Sequence, residues 1–493
     1  MAAEQPETGV SRRLIKHTLI YGSGWVTMAI VSFALTPIYT RHLSLSDYGL
    51  LALMLVFYGL MRQIYDLGFT NSVARFFFDE SPEGEQHLPR VRVTGNAFVA
   101  VYGGALTLLL VVFAGVWAKL LTGSSNHANL VRIVAITLYA EALAIVPLTL
   151  IRMEERSARY VTITLVRFAA TFALSIWFVA GLDWGVRGAM LGTALPAAGV
   201  LVLLLPEYRL AITARPSWPL LKSMLRFGLP FFPVLVAAWV IDGSDRYIID
   251  AFGTRDQVGY YSLSYRVAAA IAIPLTAFSM GWAPLRYKIY ERPDAKAVYR
   301  RLTTHYTIGS CILGVGLAVF AAPIVRVLAP SDYSPAANVI PVLVLANVIN
   351  SLNIMVVTGM GVAKRTGAMA PISMAAAVVN IGLNFAFVPA FGPIAAGAST
   401  AAAFVVMVAG NWHYSQRVYP IAYEWGAMAR VCVLGVVIVV ACALLAPDGL
   451  LAGAAWSLAC WVAFLLALLL TGTVKRADVA ALRGGVLREV AEP

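Results

Sequence analysis

Residues 129–159 read NLVRIVAITLYAEALAIVPLTLIRMEERSAR, a mostly apolar run over 129–151 followed by a polar turn with Arg152, Arg156 and Arg159. About 20 apolar residues form a helix ~30 Å long, which matches the hydrocarbon core of a bilayer. The single charge near its middle, Glu141, is costly in that setting unless water or a partner reaches it. The stretch therefore reads as a transmembrane helix ending in a basic loop.

The rest of the chain repeats this arrangement. Fourteen segments qualify as spans: 14–39, 47–69, 92–117, 129–151, 160–181, 185–206, 226–249, 258–285, 304–328, 336–361, 368–389, 393–414, 428–446 and 450–472. The expected fold is an all-α integral membrane protein. Composition agrees, with 60% hydrophobic and 13% charged residues and a mean hydropathy of +0.77. So few charges cannot cover a soluble protein of this size, so lipid is the solvent.

Charge placement sets the expected orientation. With the N-terminus inside, the inner segments hold 27 of the 37 Lys and Arg residues and the outer segments 7, leaving Arg62, Arg167 and Arg266 within spans. This follows the positive-inside rule at every alternation and puts both termini in the cytoplasm. The net charge of +12 belongs to this orientation and to anionic lipid, and no nucleic-acid partner is expected. The polar N-terminus shows no cleavage site, so the first run is expected to stay as a helix that directs insertion.

Three motif pairs recur at one spacing. Ser46-Asp47-Tyr48-Gly49-Leu50 resembles Gln257-Val258-Gly259-Tyr260-Tyr261, Trp117-Ala118-Lys119-Leu120-Leu121 resembles Val325-Arg326-Val327-Leu328, and Gly185-Val186-Arg187-Gly188-Ala189 resembles Ile394-Ala395-Ala396-Gly397-Ala398. The offsets, 207 to 210 residues, pair spans 1–6 with spans 7–12. An even number of spans keeps both halves in one orientation, as in transporters with parallel repeats. The expected organisation is a cytoplasmic tail (1–13), an N-lobe (14–206), an inner linker (207–225), a C-lobe (226–414), two added helices (428–472) and a cytoplasmic C-terminal tail (473–493).

Several motifs together carry a family resemblance. Thr36-Pro37-Ile38-Tyr39-Thr40-Arg41 before Asp47-Tyr48-Gly49, Asp245-Arg246-Tyr247-Ile248 before Val258-Gly259-Tyr260-Tyr261 and Tyr265-Arg266, and Asn380-Ile381-Gly382-Leu383-Asn384-Phe385 before Gly392-Pro393 resemble polysaccharide flippases. These form a branch of the multidrug/oligosaccharidyl-lipid/polysaccharide exporter superfamily. The resemblance implies a two-lobed transporter, not an enzyme, in a bacterial cytoplasmic membrane. It implies an undecaprenyl-diphosphate-linked oligosaccharide as substrate, flipped outward by alternating access, with lipopolysaccharide or other glycan polymerase and export proteins as partners. A multidrug or lipid II exporter is the alternative within the superfamily. The lipid II flippases carry an arginine in the first span, whereas Ser23 to Phe33 here has no charge. A membrane-embedded polymerase or ligase is the alternative of another class, but such enzymes have a long outer loop and the outer loops here are short.

Candidate site residues are charges that orientation does not explain. Guanidinium groups pair with phosphate through forked hydrogen bonds, so Arg266, Arg62 and Arg167 are the expected diphosphate contacts. Arg266 lies about nine residues, ~14 Å of rise, into its span. Glu141 either binds a proton or sodium ion as coupling ion or pairs with Arg167. Asp66, four residues after Arg62, shares its helix face and is a candidate local pair. Asp242, Asp245 and Arg246 are expected to form a structural or gating ion pair. Asn347, Asn350, Asn353, Asn380 and Asn384 either line a sugar-binding cleft or hydrogen-bond between helices. Pro230, Pro233 and Pro274 are expected to bend spans 7 and 8. The segment from Arg286 to Arg301 reads as a basic loop on the inner membrane surface. Cys311, Cys432, Cys442 and Cys460 sit in apolar runs and read as buried small hydrophobes. The six histidines show no metal-ligand spacing, and there is no phosphate-binding loop of the ATPase type, so no metal and no cofactor beyond a coupling ion is expected.

Overall fold

A computed structural model describes residues 33–78, 87–210 and 215–473, the burial of residues 210, 283 and 284 excepted. The tail 1–13, the first expected span up to residue 32 and the C-terminal tail beyond 473 lie outside the described residues. Among the described residues every regular element is helical.

The chain divides into two compact units. The first comprises residues up to Leu263 together with Asn380–Ala396. Its helices are α1 (Thr36–His42), α2 (Leu45–Asp66), α3 (Phe69–Phe77), α4 (His87–Val112), α5 (Ala114–Thr122), α6 (Ala128–Met153), α7 (Ser157–Ile176), α8 (Gly185–Leu203), α9 (Leu205–Leu210), α10 (Trp218–Gly228), α11 (Phe232–Phe252) and the start of α12 (Arg255–Ala269). The second comprises Ser264–Val379 and the residues from Gly397 onward. It contains α13 (Ala272–Tyr290), α14 (Ala295–Val319), α15 (Ala321–Leu328), α16 (Ala336–Val356), α17 (Thr358–Val362), most of α18 (Met369–Val418), α19 (Trp425–Leu444) and α20 (Leu450–Leu470).

Eleven described helices or helix pairs are long and apolar enough to cross a membrane, or up to twelve with the bent pair α12–α13. The expected spans 368–389 and 393–414 lie on either side of a break inside α18. Gly392 makes that break with φ 61° and ψ −146°, a conformation essentially reserved for glycine.

Local chemistry sets the helix ends. Ser44 caps α2, its side chain accepting from the Asp47 N–H at 3.0 Å, and the Ser44 hydroxyl donates to the Asp47 carboxylate at 2.8 Å. One orphan N–H of the first turn is thereby satisfied, and the second bond fixes the capping hydroxyl. Pro274 bends its span as expected. The helix breaks by 40° between Ala269 and Ala272, where the proline ring opposes the carbonyl four residues earlier. Pro230 and Pro233 also act at a break, the 3-10 turn Leu229–Phe231, and the helical run starts earlier than expected, at Trp218. The segment Arg286–Arg301 is largely not a loop. The end of α13 and the start of α14 cover most of it, with only residues 291–294 between them, because apolar and aromatic residues recur there among the basic ones.

Two spans carry a similar break. Helix α4 ends before Phe113 and continues as the short α5, and α14 ends before Phe320 and continues as the short α15. The glycines of the first motif pair also meet. A Cβ on Gly49 would lie 2.2 Å from the Arg255 carbonyl oxygen, and one on Gly259 2.3 Å from that of Leu45. Backbone cannot yield to such contacts cheaply. Gly49→Ala should cost ~1–3 kcal/mol or more, read as a lower melting temperature of the purified protein. Gly281→Ala, where a Cβ meets nothing within 4 Å, should match or exceed wild type.

Within the first unit α6 packs against α2, α4 and α8, and within the second α14 packs against α16, α19 and α20. Helix α19 is apolar all round. Met428, Val431, Gly435 and Cys442 are buried, whereas Val433, Val437 and Val440 are exposed. A helix with one packed stripe and one exposed apolar stripe suits lipid on its outer face.

Candidate functional site

A cavity of about 410 Å³ opens in the first unit among α2, α6 and α7. It falls in the size range of small-molecule sites. Tyr58 and Arg62 are four residues apart on α2 and so share a face. Glu141 projects from the middle of α6, between the buried Ala140 and Ala142. Arg167 reaches it from α7.

These four side chains form one cluster. The Glu141 carboxylate accepts hydrogen bonds from the Tyr58 hydroxyl and the Arg167 guanidinium. The Arg62 Nε stands 3.9 Å from Oε2, the oxygen that accepts from Tyr58. Of the two readings of Glu141, the pair with Arg167 describes this arrangement. One carboxylate thus faces two guanidinium groups, and the cluster keeps an excess positive charge. The side chains of Glu141 and Arg167 are 10% and 28% exposed, whereas that of Arg62 is 66% exposed. Arg62 is therefore the group of the cluster most open to a ligand.

Asp66 is not the partner of Arg62. Its carboxylate accepts from the Thr70 N–H at 3.0 Å and the Thr70 hydroxyl at 2.6 Å. Helix α2 ends at Asp66, and Thr70 lies in the first turn of α3, so Asp66 acts as a cap for the next helix. The rotation of its side chain toward that helix end takes it away from Arg62.

Toward the far end of α6 the cavity is lined by Thr149, Arg152 and Tyr160. Beside it lies an ion network that sequence reading missed. Glu154 binds Arg92 at 2.7 Å and Arg156 at 3.1 Å. Glu207, only 3% exposed, binds Arg156 and Arg159, each at 3.1 Å. The hydrogen bond that Arg156 donates to Glu154 holds its guanidinium above its ordinary pKa. Orientation alone had explained these arginines; the two glutamates among them were the available signal. Tyr58 was missed as well, and its spacing from Arg62 was the clue.

The other expected residues lie elsewhere. Arg266 is half-buried on α12, among the residues of the second unit. Asp245 and Arg246 form a buried ion pair at 3.3 Å. Arg246 also donates to the Asp242 carbonyl at 2.6 Å and stacks 5.4 Å from the Tyr261 ring centre, while the Tyr261 hydroxyl donates to Asp245. Asp242, itself exposed, thus bonds Arg246 through its backbone carbonyl. Asn380 and Asn384 are fully buried and bonded to each other at 3.2 Å, with Ser244 of α11 at 3.5 Å from Asn380. Asn380 thus bonds across to α11, whereas the bond between Asn384 and Asn380 lies within α18. Asn353 accepts from Asn411 at 2.9 Å, Asn347 donates to the Leu343 carbonyl within its own helix at 2.8 Å, and Asn350 is half-buried. The four cysteines are free thiols.

Comparison with known proteins places this geometry. Residues 38–338 match the model of a family described as polysaccharide biosynthesis protein. The chain is 20% identical over 215 residues to the probable low-salt glycan biosynthesis flippase Agl15 of Haloferax volcanii, covering 43% of this chain and 45% of that protein. The match thus spans less than half the length of that curated relative. Among solved structures, a lipid II flippase MurJ in an inward closed conformation superposes with a TM-score of 0.72 at 12% identity, over 90% of this chain and 98% of that one. An inward-facing multidrug resistance MATE family transporter of the MOP superfamily does so with a TM-score of 0.65 at 16% identity, over 83% and 95%. These likenesses establish the fold, that of a multi-pass membrane protein. With more than half of its length matched by the family model, the chain belongs to the polysaccharide biosynthesis protein family.

Proposed function

We propose that this protein flips an undecaprenyl-diphosphate-linked oligosaccharide from the inner to the outer leaflet of a bacterial cytoplasmic membrane. Two six-helix lobes, 14–206 and 226–414, alternate access to the substrate, and both termini are cytoplasmic. The observation that carries this reading is the exposed Arg62 guanidinium over a cavity whose one central carboxylate is already held by Arg167 and Tyr58. Such a site has positive charge to spare for a diphosphate, and forked guanidinium–phosphate bonds suit it. Arg266 is a further contact for the anionic substrate. Arg167 positions Glu141, and Glu141 links transport to a proton or sodium gradient. The flipped product passes to a glycan polymerase or export partner.

Reconstitution in liposomes with defined lipid-linked sugars and ion gradients tests the reading. The wild-type protein should move the lipid-linked oligosaccharide, and Arg62→Ala and Arg266→Ala should each lower the rate at least ~10-fold at equal protein level, the loss expected for a charge-assisted contact. Wild-type rates in both variants would overturn the site. Preferential movement of lipid II or of a cationic drug would reassign the substrate within the superfamily.

A further inference from the structure

The cavity of the first unit has a second basic end that the flipping site does not use. Arg152 lies eleven residues beyond Glu141 on α6, ~16 Å of helix rise away. It lines the same cavity as Arg62 and Arg167. Its neighbours do not neutralise it. Glu154 is taken by Arg92 and Arg156, Glu207 by Arg156 and Arg159, and Asp66 by Thr70. The Arg152 Nε is buried with no hydrogen-bond partner among the described residues. A buried guanidinium nitrogen without a partner is costly, and a ligand oxygen would relieve that cost.

We infer that Arg152 is a second anion station, which takes the phosphate end of an anionic prenyl lipid before the lipid reaches Arg62. This rests on the reading above and adds an order of events to it. Glu141 and Arg152 are ~16 Å apart along α6, longer than a diphosphate, so one headgroup passes from the Arg152 end of the cavity to the Glu141 end in turn. Tyr160 and Thr149 line the cavity beside Arg152. The ion network around Glu154 and Glu207 holds Arg92, Arg156 and Arg159 to carboxylates, whereas Arg152 has no carboxylate partner among the described residues.

The test uses the full-length protein in detergent or nanodiscs with farnesyl diphosphate as probe and farnesol as the uncharged control. Arg152→Gln should weaken farnesyl diphosphate binding at least ~10-fold, the order of one lost charge-assisted contact, and leave farnesol unchanged. Arg152→Lys keeps the charge and should recover much of the binding, and it carries the test should Arg152→Gln fail to fold. In reconstituted flipping, Arg152→Gln should raise KM and leave kcat nearly intact, because the station is vacated before the crossing; Arg62→Ala should lower kcat. If Arg152→Gln binds farnesyl diphosphate as wild type does while Arg62→Gln does not, the second station is wrong and the diphosphate reading survives. If the wild-type protein binds farnesol as tightly as farnesyl diphosphate, the diphosphate reading itself falls, and the station with it.

Discussion

Asp245→Ala is expected to be among the most damaging single substitutions in this protein, costing ~3–5 kcal/mol of stability, the range for breaking a buried ion pair by removing one partner. The carboxylate is fully buried, and the Arg246 side chain is 7% exposed. After substitution the guanidinium retains the Asp242 carbonyl and the Tyr261 ring but loses the buried carboxylate that balances its charge. The Tyr261 hydroxyl also loses its acceptor. Thermal unfolding followed by size-exclusion chromatography should show early loss of the monodisperse peak. A triple variant, Asp245→Leu with Arg246→Leu and Tyr261→Phe, should recover most of that loss, because exchanging a whole buried polar set for apolar groups is often close to neutral. A melting temperature equal to wild type in Asp245→Ala would show that water reaches the pair.

Glu141→Gln should act on transport more than on stability. Arg167 is part-exposed to the cavity and can rehydrate there, so the stability cost should fall below that of a fully buried pair, ~1–3 kcal/mol. Turnover is a different matter. Without the carboxylate, Arg167 and Arg62 both face the cavity uncompensated, and a diphosphate held by two free guanidinium groups leaves slowly. The expected signature is tighter binding of the diphosphate lipid together with a fall in kcat of at least ~10-fold, since added ground-state binding raises the barrier to release. Dependence on the proton or sodium gradient should also vanish. Equal affinity, equal turnover and an intact gradient dependence would remove Glu141 from the mechanism.

Much of the fold was legible in one dimension, because a bilayer asks each span for the same thing, a long apolar run. The repeat motifs were legible too, and the meeting of Gly49 with the backbone around Arg255 and Gly259 shows why they are glycines. Helix ends were less legible. The apolar runs 92–117 and 304–328 were each read as one continuous span, yet each is broken near its end, at Phe113 and Phe320, because hydropathy is summed over a window and does not register a change of direction within it.

The site divides along the same line. By itself the sequence determined that the chain lives in lipid, that it is helical, which few charges lie within spans, and that Arg62, Arg167 and Glu141 stand among them. It left open whether Glu141 binds an ion or Arg167, and whether Asp66 serves Arg62 or another group. The tertiary structure supplied the partners that bear on both, Arg167 and Tyr58 for Glu141 and Thr70 for Asp66. It also separated Arg152 from Arg156 and Arg159, three arginines alike in sequence, by giving carboxylates to two of them. The physical reason is that membrane partition depends on each residue's own transfer energy, which is local, whereas ion pairing depends on how helices far apart in sequence are rotated and packed against one another.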